Sequence, residues 1–392
     1  MTTGTIRDRF PGLGDGSARF DGPAGTLMVD SAIHAMQTYM SSAGTANVGG
    51  AFSASQETQA VVDRARQTVA ELLGATDHGI VFGANMTTLT FAFTRAVARE
   101  FEPGDEIVCT ELDHDANVTP WVLAAADRGA QVVVARLEPE TGRLPVDAVR
   151  ACFSERTKWV AVTGASNLIG TIPDVGAIVE AAHSVGARAY VDAVHLAPHR
   201  RVDVRSLGCD ALVTSPYKWY GPHAGVLVLQ PDLLASLEPY KVRPASDLGP
   251  RRLETGTPAF ESIAGVEAAA RFLLGQGMTE TATHELEVFG PLLSGLQSID
   301  GVTVYGPPDL ESRAPTVLFN VARIDANAVA SALAQAGVAV WSGNSYAVEG
   351  ARALGLDSPG VAVRAGVVRY TSAGDVERLL TAVSRLAGDS RL

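Results

Sequence analysis

Short apolar runs alternate with helix-like stretches along this chain from about residue 55. Most of the runs are apolar at nearly every position, which is typical of strands buried on both faces of a parallel sheet. They cover residues 80–82, 107–109, 132–134, 159–162, 189–191, 211–213 and 225–229. A helix-like stretch at 57–73 precedes them, and others such as 86–99, 117–127 and 174–185 lie between them. This alternation predicts an α/β fold in which helices cover both faces of a mostly parallel sheet.

The pattern changes after residues 225–229, where a long helix is predicted at 259–275 and the later elements become shorter. Strands are predicted near 302–305, 315–320, 337–341 and 361–370, and helices near 325–336 and 373–387. Ser372 followed by Asp375 predicts a capping box at the start of the last helix. We interpret residues 279–392 as a smaller α+β domain, residues 21–278 as a large domain, and residues 1–20 as an arm that packs on the small domain.

Composition and charge exclude several classes of protein. With 46% apolar and 19% charged residues, the chain is globular rather than disordered. Its formal charge of −12 would repel a phosphate backbone, so we expect no nucleic-acid partner. No apolar run approaches the roughly 20 residues that cross a bilayer, and residues 5–10 lack the apolar core of a signal peptide. Three widely spaced cysteines fit a reducing compartment, so we expect a cytoplasmic protein without a membrane partner.

A distinctive set of polar side chains follows five of the predicted strands. In chain order they are Asn85, His114, Asn167, Asp192 and Lys218. Open α/β sheets bind their ligands at the edge formed by the carboxyl ends of the parallel strands. Surface loops of an acidic protein would carry Glu, Asp and Lys more often than this choice of types. The pattern therefore predicts one binding site along that edge.

This combination of side chains matches the requirements of one cofactor. Pyridoxal phosphate needs a lysine amine for a Schiff base, a carboxylate beside its ring nitrogen, a helix N-terminus for its phosphate and a flat group against its ring. Asp192 and Lys218, 26 residues apart, are the predicted pair. The aromatic neighbours of Lys218, which include Tyr217 and Trp219, should exclude water from the amine and lower its pKa.

Each of these residues has an ordinary structural explanation when it is taken alone. A lysine at a strand end can extend along the surface into water, and an aspartate after a strand most often caps the next helix. His114 alone is more simply a surface histidine, and residues 84–88 alone are a helix cap. The ordered set, with Asp192 and Lys218 together, favours the cofactor site.

Longer motifs give the chain a resemblance to a known family. Residues 111–121, 191–195, 215–222 and 254–258 resemble fold-type I pyridoxal-phosphate enzymes of the class V aminotransferase and cysteine desulfurase group. The similarity runs from about residue 7 to 387, and the opening of the chain is similar to cysteine desulfurase-like proteins. It implies the pyridoxal-phosphate transferase fold, with a seven-stranded sheet and a smaller C-terminal domain, and it implies an enzyme that forms a homodimer.

The resemblance also implies a role for each site residue. Lys218 would form the Schiff base and move protons, Asp192 would pair with the ring nitrogen, and His114 would stack on the ring face. His195 stands where desulfurases usually have Gln and would bind the ring hydroxyl, with Asn167 near that hydroxyl or the substrate. The remaining roles are phosphate binding by Asn85, Met86 and Ser215, contact with the neighbouring subunit's phosphate by Gly256 and Thr257, and binding of the substrate carboxylate by Arg364.

Two departures from the family pattern narrow the expected function. Tyr217 stands before the lysine, where desulfurases of this group often have His, and residues 337–364 contain no cysteine on the approach to Arg364. Desulfurases carry their persulfide cysteine there. We therefore expect an enzyme that acts at the α and β carbons of a small amino acid, with desulfurase-like C–S lyase chemistry but without the persulfide cysteine. A class V aminotransferase is the alternative, and a racemase also shares the first step.

Two other classes of protein compete with this expectation. His195 and His199 have the spacing of zinc ligands on a helix, which would suit a metal hydrolase. Pro198 disfavours a helix there and no third ligand is apparent, so we expect no metal. A binding protein that has lost its activity would keep the fold, but the presence of both Asp192 and Lys218 argues against it.

Overall fold

The computed structural model describes residues 5–42, 45–356 and 361–389. Within these ranges the strands are β1 (Ala18–Arg19), β2 (Ile80–Gly83), β3 (Glu106–Thr110), β4 (Gln131–Ala135), β5 (Thr157–Thr163), β6 (Arg188–Asp192), β7 (Ala211–Thr214), β8 (Gly225–Leu229), β9 (Val302–Tyr305), β10 (Thr316–Val321), β11 (Val338–Ala339), β12 (Trp341–Ser342) and β13 (Val363–Gly366). All seven apolar runs of the alternating region form strands, as predicted.

The α-helices of the described residues include the seven predicted from the sequence and six that were not predicted, at residues 30–41, 146–150, 204–207, 231–236, 278–298 and 348–353. They are α1 (Asp30–Ser41), α2 (Ser53–Leu73), α3 (Met86–Val97), α4 (Thr119–Ala126), α5 (Val146–Arg150), α6 (Val175–Ser184), α7 (Val204–Leu207), α8 (Pro231–Ser236), α9 (Phe260–Gln276), α10 (Met278–Ser298), α11 (Ala326–Gln335), α12 (Val348–Ala353) and α13 (Ala373–Asp389). Short 3-10 turns include Asp115–Asn117 and Pro216–Lys218. No helix in the described ranges is long and apolar enough to cross a membrane.

The large sheet has seven strands in the order β2-β8-β7-β6-β5-β3-β4. Neighbours from β7 to β4 are parallel, whereas β8 is antiparallel to both β7 and β2. This arrangement confirms the predicted α/β class with a mostly parallel sheet. Because β3, β5, β6 and β7 are parallel neighbours, their carboxyl ends meet at one edge of the sheet.

Both faces of this sheet are buried, as the continuous apolar runs require. In β5, Val160 and Val162 point into one apolar core, whereas Trp159 and Ala161 point into another. Successive side chains of a strand point to opposite faces, so each core occupies one face. Helices α2, α6 and α9 contribute to the first core, and α3 and α4 contribute to the second.

The C-terminal elements form a second, smaller layer. Strands β12-β13-β10-β9 make an antiparallel sheet, and α10, α11 and α13 pack with it around a third core. The capping box at the start of α13 is confirmed, since Ser372 Oγ donates to Asp375 at 2.7 Å and accepts from the Asp375 backbone N–H at 3.3 Å. The strand predicted at 361–370 is wrong in length, because after Gly366 the chain leaves the ladder and turns at Val368, whose carbonyl accepts from Thr371.

The N-terminal segment lies against this smaller layer. Strand β1 pairs in parallel with β11, and Arg7 forms an ion pair with Asp375 at 2.7 Å. The long predicted helix at 259–275 corresponds to α9, and Gly277, with a φ of +76°, separates it from α10. The domain boundaries at residues 20 and 278 stay predictions.

Candidate active site

All five predicted strand-end residues lie along one edge of the large sheet, because β2 and β7 both end beside the start of β8. Asp192 is the last residue of β6, His114 follows β3, and Asn167 follows β5. Lys218 ends the 3-10 turn after β7, and the antiparallel strand β8 then carries the chain back. The fifth, Asn85, follows β2 at the far side of β8 and begins α3.

Lys218 is buried, and its amine meets few polar groups. Its Nζ donates to the carbonyl of Pro23 and lies 5.4 Å from the centre of the Tyr217 ring. Burial, and then the nearby positive charge of Arg364, lower the pKa of Lys218 to about 7, against the opposing effect of Asp192. A large share of the amine is therefore unprotonated and nucleophilic near neutral pH.

Asp192 is also buried, and one of its carboxylate oxygens accepts from the backbone N–H of Val194 at 2.9 Å. Burial raises the pKa of this carboxyl to about 6, although the Val194 N–H and the Lys218 charge lower it. A further cation beside the carboxylate would favour its charged form. A protonated ring nitrogen is such a cation.

His114 is held as a neutral ring. Its Nδ1 accepts a hydrogen bond from the backbone N–H of Ala116 at 3.0 Å, which places the ring proton on Nε2. Burial, and then the charges of Lys218 and Arg364, lower its pKa to about 4. The ring of Tyr346 stacks on His114 with centroids 5.5 Å apart and an angle of 23°.

A buried carboxyl group next to His114 was not among the predicted residues. Asp113 accepts from Thr110 through both the backbone N–H and the hydroxyl, at 2.9 and 2.7 Å, and from the amide of Asn117 at 2.8 Å. Burial raises its pKa to about 7 against these hydrogen bonds. These hydrogen bonds fix the turn that carries His114. The only sequence signal that could have indicated Asp113 is its position directly before that histidine.

Arg364 and Asn167 are linked across the two sheets. Arg364, on β13, donates from Nη1 to the Asn167 carbonyl at 2.8 Å, and Asn167 donates from Nδ2 to the carbonyl of Ser345 at 2.8 Å. Burial lowers the pKa of Arg364 to about 10, so the guanidinium stays charged at neutral pH. Its Nε and the Oδ1 of Asn167 are buried without a hydrogen-bond partner.

The predicted phosphate ligands have different surroundings. Ser215 is fully buried and its Oγ has no hydrogen-bond partner. Asn85 is exposed and caps α3, because its side chain accepts from the Thr88 backbone N–H at 2.8 Å. The Met86 side chain packs into the apolar core, so only its backbone N–H, in the first turn of α3, is placed to bind an anion. Unsatisfied N–H groups at a helix N-terminus favour an anion.

Gly256 and Thr257 are exposed and lie across a cleft from the start of α3. The cleft has a volume of about 480 Å³ and is also lined by Gly83, Ala84 and His223. The ring of His223 stacks on Tyr217 with centroids 5.2 Å apart and an angle of 19°. His223 was not among the predicted residues, and it lies directly after the 215–222 motif, five residues from Lys218.

His195 and His199 lie in consecutive turns after β6 rather than on an α-helix. The Nε2 atom of His195 lies 2.9 Å from Oγ1 of Thr316, and Nδ1 of His199 lies 2.9 Å from Glu285. Each histidine thus has a polar partner within the protein. Among the described residues there is no group of three or more His, Cys, Asp or Glu side chains suited to a metal ion.

The buried polar atoms without partners fit pyridoxal phosphate and an amino acid. The Ser215 hydroxyl can donate to a phosphate, and the Arg364 guanidinium can donate to a carboxylate. Lys218 and Asp192 are an amine and a carboxylate of the kind that the aldehyde and ring nitrogen of this cofactor need. Fold and site together define the fold-type I class of pyridoxal-phosphate enzymes.

Comparison with known proteins identifies the family. The family model described as aminotransferase class-V matches residues 19–379. The chain is 32% identical to an uncharacterized protein of Mycobacterium tuberculosis, over 97% of this chain and 98% of the relative. It is also 32% identical to a probable cysteine desulfurase of Mycobacterium leprae, over 86% of this chain and 83% of the relative. The chain belongs to the class V aminotransferase family, whose members are pyridoxal-phosphate enzymes.

Solved structures agree with this assignment. A cysteine desulfurase from Thermococcus onnurineus superimposes with a TM-score of 0.92 at 28% identity, covering 98% of each chain. The cysteine desulfurase CsdA from Escherichia coli superimposes with a TM-score of 0.89 at 28% identity, again covering 98% of each chain. The predicted fold and cofactor class are confirmed.

Proposed function

We propose that the chain cleaves the C–S bond of a small amino acid such as cysteine, without an enzyme persulfide. The proposal rests on one observation. The site contains Lys218, Asp192 and Arg364, but residues 337–364, the segment of the chain that ends at Arg364, contain no cysteine. Relatives with 30% or more identity are named cysteine desulfurases. Sulfur would then leave directly rather than on a protein cysteine.

Bound pyridoxal phosphate would supply the electron sink that makes the α-carbon of an amino acid acidic. Lys218 is the base in this proposal, because an amine with a pKa of about 7 both accepts and returns a proton near neutral pH. Its burial keeps water away from the reacting carbon. Asp192 would hold the ring nitrogen in its protonated form.

Arg364 would orient the substrate by its carboxylate. The guanidinium is buried and charged, and its Nε donor has no protein partner. Because Nη1 is already held by the Asn167 carbonyl, the group is fixed in direction before the substrate arrives. Such preorganisation lowers the entropy cost of binding and favours one substrate orientation.

The three cysteines of the chain are poorly suited to carry sulfur. Cys109 and Cys209 are fully buried, and burial raises the pKa of each thiol, to about 12 for Cys209. Cys152 is half-buried at the end of α5 and its pKa is also raised. A thiolate is the nucleophile in sulfur transfer, so a raised pKa opposes that role.

The proposal is tested by turnover with L-cysteine and by mass spectrometry of the protein afterwards. We expect sulfide, pyruvate and ammonia in equal amounts, because sulfur that leaves directly departs as sulfide and the remaining three-carbon fragment is hydrolysed to pyruvate, and we expect no persulfide on any cysteine. Variants C109A, C152A and C209A should each keep the wild-type rate of sulfide release per folded site. A persulfide on one cysteine, or loss of turnover in one folded variant, would contradict the proposal. Formation of a keto acid with the cofactor left as the amine would instead indicate an aminotransferase.

The assembly is part of the proposal. We infer a homodimer in which Gly256 and Thr257 contact the phosphate in the partner's site, because both residues are exposed beside the cleft at α3. Large apolar side chains at Phe52, Val242 and Leu248 are 59%, 64% and 80% exposed, which suits a surface covered by a second copy. A cytoplasmic location fits three unpaired cysteines.

A further inference from the structure

An ion pair that the proposed reaction does not use adjoins the loop that carries Gly256 and Thr257. Nη2 of Arg66 donates to both carboxylate oxygens of Glu254, at 2.8 and 2.7 Å, and the two side chains are 12% and 6% exposed. Charge-assisted hydrogen bonds that are largely withdrawn from water hold their geometry better than an exposed ion pair does. Glu254 directly precedes residues 255–257, which we call the 255–257 loop.

The same ion pair binds the backbone of strand β2. This strand lies at the edge of the seven-stranded sheet, and an edge strand has N–H and C=O groups that no further strand can satisfy. Oε1 of Glu254 accepts from the Phe82 N–H at 2.9 Å, and Nη1 of Arg66 donates to the Ile80 carbonyl. The pair therefore ties the start of the 255–257 loop to β2 and, through Arg66, to helix α2.

Strand β2 has other contacts that hold it in place, whereas the 255–257 loop has few. All four residues of β2 pair with β8 in an antiparallel ladder. In the described part of the chain, by contrast, no hydrogen bond involves residues 255–257, and all three residues are exposed. The contacts of Glu254 are the nearest polar anchor before the loop. The loop is therefore the element whose position depends most on the ion pair.

The 255–257 loop is open on the side where a ligand could approach. A Cβ atom added at Gly256 would meet no other part of the subunit within 4 Å. Gly256 and Thr257 line the cleft at the start of α3 together with Gly83 and Ala84. A group that enters from outside the subunit can therefore reach the loop without displacing a side chain.

We propose that the Arg66–Glu254 ion pair positions the 255–257 loop for the cofactor phosphate in the partner's site. The inference rests on the proposed contact of Gly256 and Thr257 with that phosphate, and it adds the two residues that hold the contact in place. A loop that is fixed before binding loses less conformational entropy when the ligand binds. Without the ion pair the loop would be ordered only on binding, so cofactor affinity would fall in the partner's site.

The inference is tested with E254Q in heterodimers that contain a single Lys218. The variant keeps the size of the side chain but replaces one accepting oxygen with an NH2 donor that faces Arg66 or the Phe82 N–H. In the first heterodimer, one chain carries both K218A and E254Q and the other chain is wild type. In the second heterodimer, E254Q and K218A lie on different chains. Two different tags allow each heterodimer to be purified.

The measurement is the affinity of the remaining Lys218 site for the cofactor. The apo-heterodimers are titrated with pyridoxal phosphate and reduced with borohydride, and mass spectrometry gives the fraction of the Lys218 chain that carries trapped cofactor. In the first heterodimer this site receives its loop from the E254Q chain, and we expect affinity to fall by about 2- to 12-fold. In the second it receives a loop anchored by Glu254, and we expect the affinity of the heterodimer of wild type and K218A.

E267Q is the matched control. Glu267 lies on α9, after the 255–257 loop, and forms an ion pair with Arg64 of α2 at 3.8 Å. Because this pair also joins α2 to the segment that follows β8 but does not adjoin the loop, E267Q should leave cofactor affinity unchanged in both heterodimers. An equal loss of affinity in both E254Q heterodimers, no loss in either, or the same loss with E267Q would overturn the inference.

T257E in the same two heterodimers separates the inference from the proposed shared site. If T257E lowers affinity only in the first arrangement and E254Q lowers it in neither, the shared site stands and the role of the ion pair fails. If T257E leaves the first arrangement unaffected, the shared contact fails and the inference fails with it. If E254Q does not fold, R66K replaces it and predicts the same pattern, because a single ammonium cannot reproduce the two-nitrogen geometry of the guanidinium.

Discussion

Lys218 shows how burial and one neighbouring charge can prepare a residue for chemistry. Its amine is enclosed by the Pro23 carbonyl and the Tyr217 ring, and neighbouring Arg364 opposes its positive charge. The resulting pKa of about 7 lies far below the ordinary value for lysine. The protein thus needs no separate base to deprotonate the amine near neutral pH.

The first prediction concerns the pH dependence of cofactor attachment. Only the neutral amine attacks an aldehyde, so attachment of pyridoxal phosphate to the apo-protein should accelerate as pH rises through about 7 and level off above it. Stopped-flow absorbance between pH 5.5 and 10 measures this rate. A rate that still climbs steeply at pH 9 to 10 would show that the amine has an ordinary pKa.

The second prediction concerns Arg364. R364A should weaken substrate binding by about 1.5–3 kcal/mol, the usual contribution of a charged hydrogen bond, which is roughly a 10- to 150-fold rise in KM. Cofactor affinity should stay within about twofold, because the guanidinium is assigned to the substrate. R352A, an exposed arginine on α12, is the control and should leave KM unchanged. An unaltered KM in R364A would remove Arg364 from the substrate site.

At the scale of secondary-structure elements, the strands of the large sheet could be predicted from the sequence, whereas the loop at 343–347 could not. Val160 and Val162 belong to a run that is apolar at each position, so hydrophobicity alone locates β5. Strand order then places Asp192 and Lys218 at one edge by geometry. The loop at 343–347 gives no such signal, because Ser345 and Tyr346 adopt positive φ angles of 53° and 59° that are rare for these residue types.

Polar contacts between residues that are far apart in the chain could also not be predicted from the sequence. His199 and Glu285 are 86 residues apart, and no periodicity marks them as partners. Asn85 was predicted as a phosphate ligand with a helix cap as the alternative, and the structure shows that its side chain caps α3. Local patterns fix elements and strand ends, whereas the pairing of side chains depends on how distant elements pack.

The third prediction belongs to the 343–347 loop. Its backbone is held by Asp115, whose N–H donates to the Tyr346 carbonyl at 2.7 Å, and by Asn167. Y346A should release the His114 ring and weaken cofactor binding by about 2- to 12-fold, because an aromatic pair contributes about 0.5–1.5 kcal/mol. Y346F keeps the stacked ring and should bind the cofactor like wild type. Fluorescence titration of the apo-proteins measures both affinities, and equal values for Y346A and wild type would exclude the role.

At the scale of the whole molecule, the fourth prediction concerns shared sites. A heterodimer of K218A and T257E subunits, purified by two different tags, should keep one intact site and about half of the wild-type activity. That site combines Lys218 of one subunit with Thr257 of the other. Each homodimeric variant should be inactive, since T257E places a negative charge next to the phosphate. An inactive heterodimer would show that Thr257 acts within its own subunit, and an active T257E homodimer would show that Thr257 lies outside the site.

The central claim, C–S cleavage without a protein persulfide, is tested most directly by the visible spectrum of the purified holoenzyme during titration with L-cysteine and a panel of other amino acids. Products are identified from the same samples. We predict that the yellow form persists through turnover while sulfide appears together with pyruvate and ammonia in equal amounts. Conversion to a stable pyridoxamine form, with release of a keto acid and no sulfide, would contradict the account and identify an aminotransferase.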